Sequence, residues 1–250
     1  MAAPAHAPPN RRDRIRAATL AEITRTARRL LIEQGAEGVS LRAIAREMGM
    51  TAPALYRYFA CHEDLRTAVA DQLFGELVEA LRDARDAHRD ADIVQRGLDT
   101  VRAFRRWAVE HPREFEVIFG RPLPAAEDMP EFDLPNCFLF GATFLELFAE
   151  IWACRPFPVP ADDEIDPRLA EQLALFRQQN GAETLPLGAL QVFLGMWVQI
   201  YGLVALEVLG HLRFALRDVE PLFETVLTEL IARLYAGQVL SDTAGWLTKP

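Results

Sequence analysis

The stretch Gly38-Val-Ser-Leu-Arg-Ala-Ile-Ala-Arg-Glu-Met-Gly-Met-Thr-Ala-Pro-Ala-Leu-Tyr-Arg-Tyr-Phe59 decides the fold. Ser40 suits an N-cap, because its hydroxyl accepts from an otherwise unpaired N–H of a first helical turn. Leu41, Ile44, Ala45 and Met48 then recur at helical spacing and predict one buried face. Gly49 supplies the left-handed backbone that ends a helix within a single turn. Thr51 predicts a second N-cap, and Pro53 is tolerated in a first turn that has no N–H partner to lose. Leu55 and Phe59 turn inward, leaving Ala52, Pro53, Tyr56 and Arg57 outside. Two short helices joined by a glycine turn form a helix-turn-helix, whose second helix suits a DNA major groove.

The charge pattern agrees. The chain carries a net charge of −9, which taken whole argues against nucleic acid. Through Arg66, however, eleven Arg oppose seven acidic residues, giving +4, and the remainder carries −13. A basic end on an acidic body implies one surface that meets phosphates and another that avoids them. Lys249 is the only lysine. The Arg bias suits bidentate phosphate and guanine contacts, but a biased genome composition is the simpler explanation and is preferred.

Residues from about 14 to 75 resemble the DNA-binding domain of TetR-type bacterial transcription regulators. The resemblance is carried by Ser40-x-Arg42-x-Ile44-Ala45, Gly49-Met-Thr51, Leu55-Tyr56-Arg57-Tyr58-Phe59 and Glu63-Asp64-Leu65. His62 stands where the family usually has lysine, so a phosphate contact there would depend on pH. The resemblance implies that Ser40 and Thr51 meet phosphates at helix N-termini, with Arg42 and His62 in the same DNA-contacting set. It implies that Tyr56 and Tyr58 touch the sugar-phosphate backbone, and that Ala52, Pro53 and Arg57 face base edges. Of these three, only Arg57 could make a bidentate contact to guanine.

Leu20, Ile23, Ala27, Leu30 and Leu31 form one stripe of a first helix over 14–34, ended by Gly35. Residues 1–13 are expected to be a disordered, proline-rich arm without the features of a signal peptide. Arg11, Arg12, Arg14 and Arg16 within and just after it fit either a minor-groove contact or a solvated basic run. The predicted domains are a helix-turn-helix over 14–62, a helical ligand-binding and dimerisation domain over 63–237, and a tail over 238–250.

The larger part is also read as helical, making the chain all-α. Periodicity places helices at about 63–90, 92–110, 113–119, 136–154, 166–179, 187–212 and 219–236, with loops at 121–133 and 155–165. Trp107, His111 and Gly120 resemble the C-terminal domain type named for those residues, found behind TetR-type DNA-binding domains. His111 is expected to be a hydrogen-bonded structural residue near a helix end. The resemblance implies an effector cavity, and the aromatic residues gathered in the middle third are its candidates: Phe74, Phe104, Trp107, Phe115, Phe119, Phe144, Phe148 and Trp152. With no cluster of buried cations in view, the expected effector is neutral and hydrophobic.

Thr184 to Leu206 is a run of 23 residues without charge, long enough to span a bilayer. Pro186, Gln191 and Gln199 interrupt it and no basic clusters flank it, so it is read as a buried central helix rather than a membrane span. Gly188, Gly195 and Gly202 recur every seven residues on one face. Gly195 and Gly202 are expected at a homodimer interface with Leu222, Val226 and Leu230 of the last helix.

Enzymatic signals are poor. His88-Arg89-Asp90 lacks the further motifs of a kinase, and there is no phosphate loop, paired-histidine zinc motif or calcium loop. No metal or cofactor is expected. Three separated cysteines, Cys61, Cys137 and Cys154, fit a reducing cytoplasm. The reading is a cytoplasmic homodimeric regulator, a repressor released from a palindromic double-stranded DNA operator by a small hydrophobic effector. Its rival is a helical small-molecule-binding or catalytic protein with vestigial DNA binding.

Overall fold

The computed structural model describes residues 10–35, 39–120 and 134–235. The described residues form ten α-helices: α1 Arg11–Gln34, α2 Leu41–Glu47, α3 Ala52–Tyr56, α4 His62–Ala87, α5 Ile93–Glu110, α6 Pro112–Phe119, α7 Pro135–Cys154, α8 Pro167–Gln179, α9 Leu187–Val208 and α10 Glu220–Leu234. No strand occurs among them. They fall into two compact units, one of residues 1–74 and 113–136, the other of residues 75–112 and 137–250. The boundary expected at 62/63 is where α4 starts, whereas the compact units divide farther along that helix, after Phe74.

In the first unit, α1 begins at Arg11, where Asn10 Oδ1 accepts from the Asp13 N–H at 3.0 Å. Arg11 and Arg12 are therefore helical, not part of an arm, because an asparagine cap starts the helix ahead of the proposed boundary. Ile23, Ala27, Leu30, Leu41, Ile44, Leu55, Phe59 and Leu65 are buried and form the core of this unit. The carboxyl end of α1 carries no basic residue in its last turn. Arg113 of α6 supplies one instead, donating from Nη1 to the Ile32 carbonyl at 2.6 Å. Positive charge and donors at a helix C-terminus satisfy its unpaired carbonyls. Beside it, Arg28 and the buried Glu114 pair at 3.3 Å.

The second unit is built around α9, which packs on α5, α8 and α10. Two bidentate ion pairs tie α5 to its neighbours. Arg105 donates to Glu207 at 2.7 and 2.8 Å, and Arg102 donates to Glu224 at 2.7 and 2.9 Å. Bonding to the Glu207 and Glu224 carboxylates raises the Arg105 and Arg102 pKa values further above the ordinary guanidinium range. Planar fork-to-carboxylate pairing fixes direction as well as distance.

The helix ends largely match the periodicity, with one informative difference. α9 stops at Val208 rather than continuing to about 212. Gly210 has a φ of 73°, and His211 N–H bonds to the Leu206 carbonyl at 2.8 Å while Gly210 N–H bonds to that of Glu207 at 3.0 Å. This pair of bonds terminates a helix through a left-handed glycine, and it overrides the apolar pattern that continues past it. The loop expected at 155–165 contains a short 3-10 turn at Asp162–Glu164. The loop expected at 121–133 and the tail at 238–250 lie outside the described residues.

Candidate DNA interface and effector cavity

The helix-turn-helix follows from three local facts. Ser40 Oγ accepts from the Ala43 N–H at 3.1 Å and starts α2. Gly49, with a φ of 64°, ends it: Met50 N–H bonds to the Ala45 carbonyl at 2.8 Å and Gly49 N–H to that of Arg46 at 3.2 Å. Leu55 and Phe59 are buried and hold α3 down. Thr51 differs from expectation. It occupies the N-cap position in extended backbone, but its side chain makes no capping hydrogen bond. Pro53 lacks an N–H, and the Ala54 N–H already bonds to the Thr51 carbonyl at 3.0 Å, so the exposed hydroxyl has no donor left to cap.

Ser40, Arg42, Thr51, Pro53, Tyr56 and Arg57 are all exposed, and Ala52 and Tyr58 are half-buried. Tyr56 is 48% exposed, a large accessible area for an aromatic residue. The fold also joins the basic start of α1 to this surface. Arg11, Arg12 and Arg16 line a solvent-open groove together with Met50, Arg57 and Tyr58. The Arg16 guanidinium lies 5.3 Å from the centre of the Tyr58 ring, a cation–π arrangement that positions both side chains. No local motif signals this groove, because it joins residues about forty positions apart in the sequence.

His62 is half-buried at the start of α4, and its Nε2 lies 2.7 Å from the Val39 carbonyl oxygen. The ring therefore donates to backbone just ahead of α2, leaving only Nδ1 for any outside partner. Next to it, Asp64 accepts from the Ala60 and Cys61 N–H groups at 3.0 and 3.2 Å and closes the turn after α3.

In the second unit, α5, α7, α9 and α10 line an apolar cavity, part of it open to solvent. No lining residue is charged. Phe144 and Phe148 line it as expected candidates, Phe193 and Trp197 of α9 complete its aromatic wall, and Met196 also lines it. Phe104 stands behind the wall, stacked on Trp197 with ring centres 6.2 Å apart. Trp107 is stacked on His111 at 5.0 Å instead, and Trp152 packs edge-on to Phe157 at 5.0 Å; neither is among the lining residues. His111 Nδ1 lies 2.9 Å from the Trp107 carbonyl, a structural bond at the end of α5. Phe74, Phe115 and Phe119 pack on one another in the first unit, with Phe119 centred 5.4 Å from Phe74 and 4.7 Å from Phe115. Aromatic composition locates the cavity's neighbourhood but does not separate a wall from a core, because both are apolar at helical spacing. Trp197 and Tyr235, absent from the sequence-based candidates, lie in or beyond the uncharged run and carry no motif.

The glycine face of α9 divides. A Cβ at Gly188 would collide with the Pro160 carbonyl oxygen, so this glycine admits the chain's own loop. Gly195 and Gly202 have no atoms within 4 Å of such a Cβ. Around them Val198 is 68% exposed, and Leu206, Leu209 and Leu222 are also exposed. Gln199 is turned onto the Gly195 carbonyl at 3.1 Å. α9 is thus apolar all round, as expected, yet buried on one side only. Val226 is half-buried. Leu230 is buried and lines the cavity, because each four-residue step rotates the stripe 222–226–230 around α10. α7 and α9 are both long and apolar enough to cross a bilayer. Core helices of helical proteins pass the same test.

Known protein families match the chain in two segments. The family described as bacterial regulatory proteins, tetR family, matches residues 23–69. The tetracyclin repressor-like C-terminal domain matches residues 98–230. The HTH-type transcriptional regulators Mb1846 of Mycobacterium bovis and Rv1816 of Mycobacterium tuberculosis are each 29% identical over 195 residues, covering 76% of this chain and 81% of theirs. The crystal structure of regulatory protein SCO4313 is similar with a TM-score of 0.65 and 29% identity, covering 89% of this chain and all of that one. A Rhodococcus sp. RHA1 protein shares the fold at a TM-score of 0.58 and 19% identity, over 87% of this chain and 94% of its own. With a helix-turn-helix at its basic end and a helical domain matched over most of the remainder, the chain belongs to the TetR family of DNA-binding transcription regulators.

Proposed function

We propose that this regulator is a cytoplasmic homodimeric repressor that leaves a palindromic operator when a neutral hydrophobic effector enters the cavity of the second unit. The observation that carries this reading is the cavity itself, which has no charged lining residue. Concave, mainly apolar sites with few polar groups are where small ligands bind.

Ser40, Arg42, Thr51, Tyr56 and Tyr58 hold the phosphate backbone, while Ala52, Pro53 and Arg57 read base edges. The exposed strip around Gly195, Val198 and Gly202, with Leu222 and Val226, meets its counterpart on a second copy. Charged residues are absent from that strip of α9 and two glycines let a facing helix approach. Two recognition helices fit successive major grooves at one separation only. An effector that binds better to a dimer with another separation draws the population off DNA.

The test is a mobility-shift titration with DNA flanking the protein's own gene, repeated with neutral hydrophobic compounds. A shift that the compounds reverse supports the reading. No shift with any flanking segment, together with tight compound binding, would favour a small-molecule-binding protein with vestigial DNA contacts.

A further inference from the structure

Two lining residues, Trp197 and Tyr235, carry a polar side-chain atom. Tyr235, at the end of α10, is 1% exposed and among the lining residues, and its hydroxyl is buried with no hydrogen-bond partner. An unpaired buried hydroxyl is unfavourable, and buried polar groups in folded proteins are normally paired. The other uncapped side-chain oxygen of this unit, Gln191 Oε1, belongs to a residue outside the lining.

The ring of Tyr235 is held on both sides. It meets Phe157 edge-on with centres 6.1 Å apart, and the Arg155 guanidinium lies 5.7 Å from its centre. The nearby positive charge does not make an anion site. Arg155 is not a lining residue and lies 3.7 Å from the Asp92 carboxylate.

We propose that Tyr235 is the polar anchor of the effector site, donating its hydroxyl hydrogen to a single neutral acceptor oxygen, such as a ketone carbonyl, on an otherwise apolar effector. This rests on the cavity being the effector site and adds the chemical class of the ligand. Burial raises the Tyr235 pKa above the ordinary value for a phenol, with Arg155 lowering it and Asp92 raising it, so the hydroxyl keeps its proton near neutral pH. Ligands lacking the acceptor leave the hydroxyl unpaired, and carboxylates have no cation to meet.

The test compares benzophenone with diphenylmethane, which differ at one carbon, by calorimetric titration of the full chain and of Tyr235→Phe. Wild type is expected to bind the ketone two- to tenfold more tightly, about the range of one uncharged hydrogen bond. Tyr235→Phe is expected to bind both alike, at the diphenylmethane affinity. Because the hydroxyl has no partner in the free protein, Tyr235→Phe should melt at or above the wild-type temperature. Equal binding of both compounds to wild type overturns the anchor while leaving the cavity as a ligand site. A ketone preference that survives in Tyr235→Phe overturns it as well. Failure of both compounds to bind wild type overturns the cavity reading and the anchor with it. Tighter binding of dodecanoate than of the ketone, abolished in Tyr235→Phe, overturns the neutral-ligand assignment.

Discussion

Arg57 and Tyr56 are adjacent and both exposed, yet they are expected to behave differently. Arg57→Ala removes the one charged side chain assigned to base edges, so discrimination among operator variants should fall by about 1–3 kcal/mol at one position. Tyr56→Phe removes a phosphate donor and should weaken all sequences alike. Titration against a set of operator variants separates the two, and an unchanged sequence preference in Arg57→Ala would remove it from base readout. His62 presents a different case, since its ring bonds to the Val39 carbonyl. His62→Ala should cost about 1 kcal/mol by leaving that carbonyl unpaired, a fall of about 2–4 °C in melting temperature. If the variant melts like wild type but binds the operator less tightly, the residue acts on phosphate rather than as an internal strut. Sequence spacing starts this helix at about 63, one residue after the observed start at His62. Which way its ring turns depends on Val39, twenty-three positions earlier.

The helix α9 shows how one element serves two purposes. Gly188 faces the Pro160 carbonyl, whereas Gly202 faces open space. Gly188→Ala should therefore destabilise the fold by about 1–3 kcal/mol through overpacking. Gly202→Leu should leave the helix content intact, since leucine is the better helix former by up to about 1 kcal/mol. It should shift the protein toward monomer in sedimentation and weaken operator binding, because a monomer engages one half-site. A Gly202→Leu protein that stays a tight dimer with normal operator affinity would move the interface to another face. All three glycines are legible as one stripe by their spacing of seven. That the stripe splits between an intrachain contact and a free face is not, because the loop at 155–165 and its path over α9 have no periodic signal.

Across the whole chain the sign of charge is segregated, with +4 through Arg66 and −13 beyond it. The groove lined by Arg11, Arg12, Arg16 and Arg57 adds cations beside the recognition helix. Operator affinity should fall steeply with salt, and Arg11→Ser with Arg12→Ser should flatten the log–log slope by about 0.9 for each phosphate no longer neutralised. Affinity measured between low and moderate salt checks this, and an unchanged slope would leave these arginines clear of the DNA. The acidic remainder repels phosphate and so disfavours binding through any other surface.

The amino-acid sequence by itself determined the all-α class, the helix-turn-helix and most helix ends. These rest on short-range causes: caps such as Ser40, left-handed glycines such as Gly49, and apolar residues three or four apart. The tertiary structure decided which aromatic residues face the cavity and which fill a core, separating Phe144 and Phe148 from Phe74, Phe115 and Phe119. It also turned Leu230 inward and brought Tyr235 to the cavity wall. Burial of an apolar side chain is favourable wherever water is excluded, so hydrophobicity carries no address. The address comes from packing between helices far apart in the chain, and a local pattern cannot contain it.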